Sequence, residues 1–462
     1  MTEDAFAQWS RNRDGGSADP QPVSQQAQSG GLPSAMGAIG WARLLYRGLV
    51  ISGLAFWHLG SGGAVAAVLA FRGRSSASDH VCRCLVMLLE RLGPAFIKAG
   101  QILGTRRDEI PRQLCDHLSR LQDSVAPMSA QRAERELAAV YRDRLGEVFE
   151  EIDYTPVASG SVACVFRARL AGGREVAVKL QRPDIHRIME TDLTLIALAG
   201  SLVARLPYFR GVPVRDILDH LCAAVRIQLD FNHEAECLDR LRGNMESVPR
   251  VWVPGICRSP TRPRAIVMDF VDGLEIDAIE RLNPALRKRV AKTTLKAVYH
   301  MLFVDGFVHC DLHPGNLYFM QNGQIVLLDA GFSIQMSERM RRLFTEFFLE
   351  MSLGRGPRCA DIVIESAAGQ RPDADLDAFR HHMADLVHRN HGLPAHSFSL
   401  IAFATEMFDF QRRFGLYAAT ELVFPLLSLL VIEGTIRELD PNMDFQETAK
   451  PILTRGAFGA VQ

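Results

Sequence analysis

The sequence predicts an α+β fold in which a block of strands is set between long helical stretches. Two observations carry this. Residues 160–180, GSVACVFRARLAGGREVAVKL, alternate apolar and polar side chains, turn at Gly172-Gly173 and alternate again, the pattern of a two-stranded hairpin. On either side, apolar residues recur at helical spacing, in HVCRCLVMLLERLG and PRQLCDHLSRLQ before the hairpin and over 190–245 and from 284 onward after it. A chain of 462 residues suits two or three packed lobes better than one minimal core.

Taken in order, residues 1–36 are rich in Gly, Ser, Gln, Pro and Asp and read as a disordered tail. They are too polar for a signal peptide and carry acids that a transit peptide lacks. Residues 37–75 form an apolar segment whose core, 48–71, has no formal charge between Arg47 and Arg72. Its length is enough for a bilayer, but His58 and Ser61-Gly62-Gly63 interrupt it. Three readings stand: an amphipathic or re-entrant membrane contact edged by Arg43, Tyr46 and Arg47, a true span, or a helix packed on the protein. Residues 76–148 are helical. Residues 149–271 hold strands over 150–182, helices over 190–245, and short strands at 251–253 and 265–270. Residues 272–455 are mainly helical, apart from a strand pair near 317–319 and 325–328. Leu416–Ile432 is apolar but contains Glu421 and Pro425, so it reads as a buried helix.

Composition is that of a globular protein, 48% hydrophobic and 23% charged, and the net charge of −1 provides no basic field for nucleic acid. Of nine cysteines only Cys82 and Cys84 are close, and no second pair answers them at zinc spacing, so free thiols in a reducing compartment are expected. His381, His382, His388 and His391 fall in a polar helical stretch without matching acids or cysteines and read as solvated or capping side chains.

The chemistry concentrates in FVHCDLHPGN, residues 307–316, and in VLLDAGF, where Asp329 lies thirteen positions after Asn316. Phosphoryl transfer needs a carboxylate near the attacking group and oxygen ligands for Mg²⁺ beside the phosphates. Asp311, Asn316 and Asp329 can supply these, and D-x4-N followed by that aspartate is the spacing of protein-kinase catalytic and metal-binding loops. Lys179 fits the strand lysine that reaches the α- and β-phosphates. It needs a carboxylate on a nearby helix. Glu234, in QLDFNHEAECL, is the candidate, with Glu236 on a different helical face as its competitor. Met268–Gly273 follows a strand and ends in a turn, where backbone groups of a hinge around Asp269 and Val271 would meet adenine.

With these residues in place, the chain resembles the UbiB/AarF family of atypical, protein-kinase-like proteins over roughly residues 80–450. The most discriminating match is Lys98-Ala99-Gly100-Gln101 in LGPAFIKAGQILGTRRDEIP, the family's K-x-G-Q, followed by LSRLQDSVAPM. PVASGSVACVFRA, VAVKLQRPDI, QLDFNHEA, HCDLHPGN with LLDAGF, and IRELDPNMDF complete it. The resemblance implies a bilobal kinase-like fold: a small β-rich N-lobe with inserted helices over 149–271 and a helical C-lobe over 272–455. A helical K-x-G-Q extension over 76–148 would pack over the active site, bring Lys98 and Gln101 toward the phosphates and block a peptide groove. It also implies ATP bound with Mg²⁺, the backbone of Ala158-Ser159-Gly160-Ser161 lying over the phosphates, and ATP hydrolysis or γ-phosphate transfer. The work supported would be isoprenoid-quinone or related lipid biosynthesis by a cytoplasmic, membrane-associated protein, with lipids, quinone intermediates or their enzymes as partners.

Three departures stand out. The family's E-x-D is Gln228-Leu229-Asp230 here, leaving Lys98 to lean on Asp230 or the extension to be held less tightly. Ala330 replaces the phenylalanine after the metal-binding aspartate. Gly160 replaces an alanine of the nucleotide loop, which would let the backbone adopt positive φ and approach phosphates closely. Gln228 and Ala330 motivate the competing reading, a nucleotide-binding pseudokinase scaffold with negligible catalysis. Small-molecule kinases share an HxDxxxxN-like loop but lack K-x-G-Q.

Overall fold

The described part of the chain opens with α1 (Ala38–Phe71), followed by α2 (Ala77–Leu92), α3 (Pro94–Thr105), α4 (Arg112–Leu118) and α5 (Ala130–Tyr141). In this computed structural model the described residues are 38–71, 77–105, 112–118, 121, 126–203, 214–274, 278–313, 315–393 and 397–458. The tail expected over 1–36 lies outside them.

Helix α1 runs unbroken through Ser61-Gly62-Gly63. Among the described residues no helix is long and apolar enough to cross a membrane. The inner face of α1 packs on the protein through Leu44, Ile51, Leu54 and Ala55. Arg47 forks onto Asp192, with Nε 2.6 Å and Nη2 2.9 Å from the two carboxylate oxygens. Asp192 is fully buried, so this bidentate pair satisfies a charge that would otherwise be strongly destabilising. Trp41, Leu45, Leu49 and Phe56 remain exposed on the outside. In α3, a side chain at Gly100 would stand 2.4 Å from Leu121 Cδ1 and 3.0 Å from Leu89 Cδ1, so glycine there permits the close packing of α3 on its neighbours.

A short α6 (Leu145–Val148) leads into β1 (Phe149–Ile152), β2 (Ala158–Ser159), β3 (Ala163–Leu170) and β4 (Glu175–Gln181). The hairpin turn falls at Gly172 and Gly173, both with the positive φ that glycine accepts at no steric cost. Alternation sorts β4: Val176, Val178 and Leu180 are fully buried in a cluster with Leu137 and Tyr141 of α5, while Ala177 and Lys179 face the other way. Burial of each such aliphatic side chain contributes roughly 1.5–3 kcal/mol. Three helices then intervene, α7 (Ile185–Val203), α8 (Val214–Ile227) and α9 (Phe231–Met245), before β5 (Val251–Trp252) and β6 (Ala265–Asp269). Strands β1, β3, β4 and β6 form an antiparallel sheet in that order, with β2 added on β3.

The remainder is mainly helical. After α10 (Ala278–Arg281), helix α11 (Pro284–Tyr299) starts with Asn283 as its cap, Oδ1 accepting from the Leu286 N–H at 2.9 Å. It ends in one wide turn, His300–Asp305, stopped by Gly306 in the left-handed conformation. Four three-residue strands follow: β7 (Phe307–His309), β8 (Leu317–Phe319), β9 (Ile325–Leu327) and β10 (Ser333–Gln335). Strand β7 pairs with β10, β8 with β9, and β5 lies parallel to β9. Helices α12 (Glu338–Ser352), α13 (Gly356–Ser366), α14 (Leu376–Asn390), α15 (Leu400–Phe414), α16 (Thr420–Leu439) and α17 (Phe445–Phe458) complete the chain, with a small pair between β11 (Gly369–Gln370) and β12 (Leu416–Tyr417). The apolar stretch around 416–432 is thus a two-residue strand followed by a helix that carries Pro425 inside it.

Candidate active site

Strand alternation turns Lys179 toward α9, and the first turn of α9 meets it. Lys179 Nζ lies 2.5 Å from Glu234 Oε1 and 2.9 Å from Asp329 Oδ2, and 5.4 Å from the centre of the Phe231 ring. Glu234 is placed by the cap of its own helix: the Asp230 carboxylate accepts from the N–H groups of Asn232 and His233. Glu236, the competitor, is exposed. Burial disfavours the Lys179 charge, but Asp329 and Glu234 outweigh it and hold its pKa above the ordinary lysine value. Burial, and then the Asp329 charge, push the Glu234 carboxyl up to about 7 despite the lysine. At Asp329 the desolvating surroundings oppose ionisation, yet Lys179 holds the carboxyl well below the usual range. Asp329 is ringed by protein but keeps 45% of its side chain reachable by solvent, so its oxygens are approachable.

Asp329 has φ of 49°, a conformation that a short polar side chain tolerates through local bonding, and Oδ1 accepts from the Gly331 N–H at 3.3 Å. Gly331 keeps the corner open: a Cβ there would come 3.3 Å from Asp329 Oδ1 and 3.5 Å from Glu234 Oε2. Asn316 is held against the same corner, its carbonyl accepting from the Leu328 N–H at 2.8 Å.

The loop from His309 to Asn316 is braced from within. His309 is fully buried, donates from Nε2 to the Leu328 carbonyl at 3.0 Å and accepts at Nδ1 from the Asp311 N–H at 3.1 Å. Burial lowers its pKa, which keeps it neutral, as one donor and one acceptor require. Ser428 of α16 donates to the His309 carbonyl at 2.7 Å. Asn316 Nδ2 donates to the Asp311 carbonyl at 2.9 Å and lies 3.2 Å from His313 Nε2. The Asp311 carboxylate faces His313 at 3.8 Å.

The loop at residues 158–161 folds back on β3, the Gly160 N–H donating to the Ala163 carbonyl at 2.9 Å. The expectation of positive φ at Gly160 is corrected: its backbone is not left-handed, and a Cβ there would meet only the Ala163 carbonyl at 3.7 Å. Ser161 is fully buried and its hydroxyl has no hydrogen-bond partner. Arg182, which the sequence reading did not single out, clamps this loop. Its Nε donates to the Gly160 carbonyl and its Nη2 to Ser159 Oγ and the Ala126 carbonyl, all at 2.8 Å. The available signal was an arginine just after the lysine-bearing strand and before Pro183.

At the end of β6, the Asp269 carboxylate accepts from the Gly255 N–H at 2.9 Å and pairs with Arg174, and its own N–H donates to the Gly255 carbonyl. Its side chain is therefore engaged, and the chain continues through Val271 to the turn at Gly273, whose φ is positive. On α3, Lys98 is buried, and its charge lowers the pKa of both Glu234 and Asp329. Gln101 donates from Nε2 to the Leu121 carbonyl at 3.2 Å. Among the grouped histidines, His381 faces Asp385 at 3.4 Å and His382 packs 5.0 Å from the Phe414 ring.

Residues 120–360 match the ABC1 atypical kinase-like domain. The chain is 31% identical over 383 residues to the probable protein kinase UbiB of Aeromonas hydrophila, covering 81% of this chain and 70% of that one. It is 31% identical to the Cronobacter sakazakii protein of the same name, covering 80% and 69%. An uncharacterized protein of Synechocystis, slr0889, is 32% identical over 61% of this chain and 72% of its own. The solved complex of Rv3197 with erythromycin, from Mycobacterium tuberculosis, superposes with a TM-score of 0.55 at 21% identity over 76% of this chain and 90% of that one, a likeness of fold. By sequence, the chain belongs to the UbiB/AarF family of ABC1 atypical kinase-like proteins.

Proposed function

We propose that this protein is an atypical kinase or ATPase that binds Mg-ATP and hydrolyses or transfers its γ-phosphate. The observation that carries the reading is the Lys179 ammonium held by Glu234 and Asp329 beside the Asp311–Asn316 loop. The residues present fit the ligand. Asp329 and Asn316 offer hard oxygen donors, which suit Mg²⁺ rather than a soft metal. The buried Ser161 hydroxyl is unpaired, and a Cβ at Gly160 would meet only the Ala163 carbonyl, at 3.7 Å. Bound Mg²⁺ would neutralise charge on the phosphate oxygens.

The chain's own residues do the rest. Lys179, oriented by Glu234, binds the α- and β-phosphates. Asn316 spends its amide nitrogen on the Asp311 carbonyl, which leaves its oxygen as the atom that would hold Mg²⁺. Asp311 orients or accepts the proton of the attacking hydroxyl or water. The loop at 158–161 covers the phosphates, and the backbone around Asp269–Val271 meets adenine. In this reading the sheet of residues 149–271 and the helices of 272–455 act as two lobes. The helices of 76–148 act as an extension over the site, with Lys98 adding positive charge there. Such catalysis rests on positioning and electrostatics. The family resemblance implies work in isoprenoid-quinone or related lipid biosynthesis, and the exposed apolar face of α1 suits contact with a membrane surface.

The test is ATPase activity with Mg²⁺, with and without anionic liposomes. Asp329→Asn is expected to lose at least about a hundredfold in turnover; turnover equal to wild type would sink the assignment. Loss of liposome flotation on deletion of residues 37–75 tests the membrane contact. A second reading, a nucleotide-binding scaffold, is favoured by Lys179 engaging the metal-binding aspartate itself. ATP binding with no turnover under any lipid condition would select it.

A further inference from the structure

A cavity lies among α12, α13, α15 and α16, on helices that carry none of the nucleotide-binding residues named above. Its volume is about 50 Å³, and its walls are almost wholly apolar, with Phe347, Phe408, Met407 and Leu422 among them. Two polar side chains also line it, Gln411 and Ser366. Gln411 is 5% exposed, and its Oε1 is buried without a hydrogen-bond partner. The Ser366 hydroxyl already donates to the Val363 carbonyl at 3.0 Å, so its oxygen is left as an acceptor.

An unpaired buried carbonyl in an apolar wall is costly, and the cost is removed by a ligand that brings a donor. Water fills the space poorly. At roughly 10–15 Å³ per molecule the cavity has room for about four waters, and each would need two or more polar partners that this wall does not offer. A small apolar molecule with one hydroxyl meets both demands, its carbons against the aromatic wall and its O–H on Gln411.

We infer that this cavity is a binding site for a neutral, apolar, hydroxyl-bearing group of about five heavy atoms, with Gln411 as its hydrogen-bond acceptor. The inference does not depend on the reading of the nucleotide site.

Two isomers separate hydrogen bonding from volume. 1-Butanol and diethyl ether share one formula, but only the alcohol donates. Each is titrated into the full chain labelled with ¹³C at the methionine methyl groups. Met407 in the wall is the reporter, its resonance assigned from a Met407→Leu chain. The expected result is a saturable shift of Met407 with 1-butanol at a Kd about five- to tenfold below that of the ether. In Gln411→Leu, or in Gln411→Met if the leucine chain does not fold, the preference is expected to fall below about twofold. Absence of a saturable shift, equal affinities in the wild type, or a preference that survives both substitutions would each overturn the proposal. The wild-type comparison alone decides it if neither variant folds.

Discussion

Arg182 provides the sharpest test of how the loop at 158–161, proposed to cover the phosphates, is held. Its guanidinium forks onto the loop itself, at the Gly160 carbonyl and Ser159 Oγ, and reaches Ala126 before α5, each at 2.8 Å. Arg182→Ala removes all three bonds. A hydrogen bond from a charged donor contributes roughly 1.5–3 kcal/mol net, and less where water competes. Arg182 is only half-buried, so the two bonds to the loop together are discounted to about 2 kcal/mol. If ATP must then order the loop, that energy is lost from binding, and Kd for Mg-ATP rises about thirtyfold at 1.4 kcal/mol per tenfold. Arg182→Lys keeps the charge but not the fork, and should recover only part of this. The assay is equilibrium binding of a fluorescent ATP analogue with Mg²⁺, alongside KM and kcat. Because Arg182 touches the loop through its backbone and a hydroxyl, the effect belongs in KM. Affinity of Arg182→Ala within twofold of wild type would show that the loop is ordered without the clamp. A lowered Tm with unchanged Kd would assign Arg182 to the fold alone.

Glu234 makes stability depend on pH. Burial raises its carboxyl from 4.5 to about 7, so between these values the folded chain holds a proton that the unfolded chain has released. That contribution, on the order of 3 kcal/mol, is complete below the unfolded value and is lost as pH rises through the folded one. Urea titrations near pH 5.5 and 7.5 should therefore show a difference in wild type that is absent in Glu234→Gln; an identical slope in both refutes the assignment. Gly100→Ala should cost about 1–3 kcal/mol by overpacking Leu121 and Leu89, read as a fall in Tm, and an unchanged Tm would mean that α3 shifts freely. Gly160→Ala should leave Tm unchanged, because a Cβ meets only an ordinary contact there. Any loss of ATP affinity in that variant then reports the approach of phosphate to the backbone, and unchanged affinity and ATPase rate would show that the glycine has no such role.

Local periodicity accounts for what could be read in advance. The alternation in β4 was enough to turn Lys179 away from Val178, and helical phase was enough to prefer Glu234 over Glu236. The three-residue strands β7 and β10 complete too little of a period to be recognised, and the strand pair of β8 and β9 was visible only because a turn separates two apolar runs. The clamp made by Arg182 was illegible for another reason. Two of its three partners are backbone carbonyls, which every residue possesses, so no residue type at Gly160 or Ala126 announces the bond.

The apolar side chains of helix α1 occupy opposite faces: Leu44, Ile51 and Leu54 inward, Trp41, Leu45, Leu49 and Phe56 outward. Hydropathy along such a segment is high all round, which is why a span, a surface contact and a packed helix could not be separated from sequence. The contact that settles the inner face is the Arg47–Asp192 pair, between residues 145 positions apart. A buried aspartate on α7 requires a cation, and an arginine at the start of an apolar helix is the residue that can fork onto both its oxygens. Arg47 thus fixes which side of α1 belongs to the protein, and by doing so leaves the aromatic side turned to whatever lies outside.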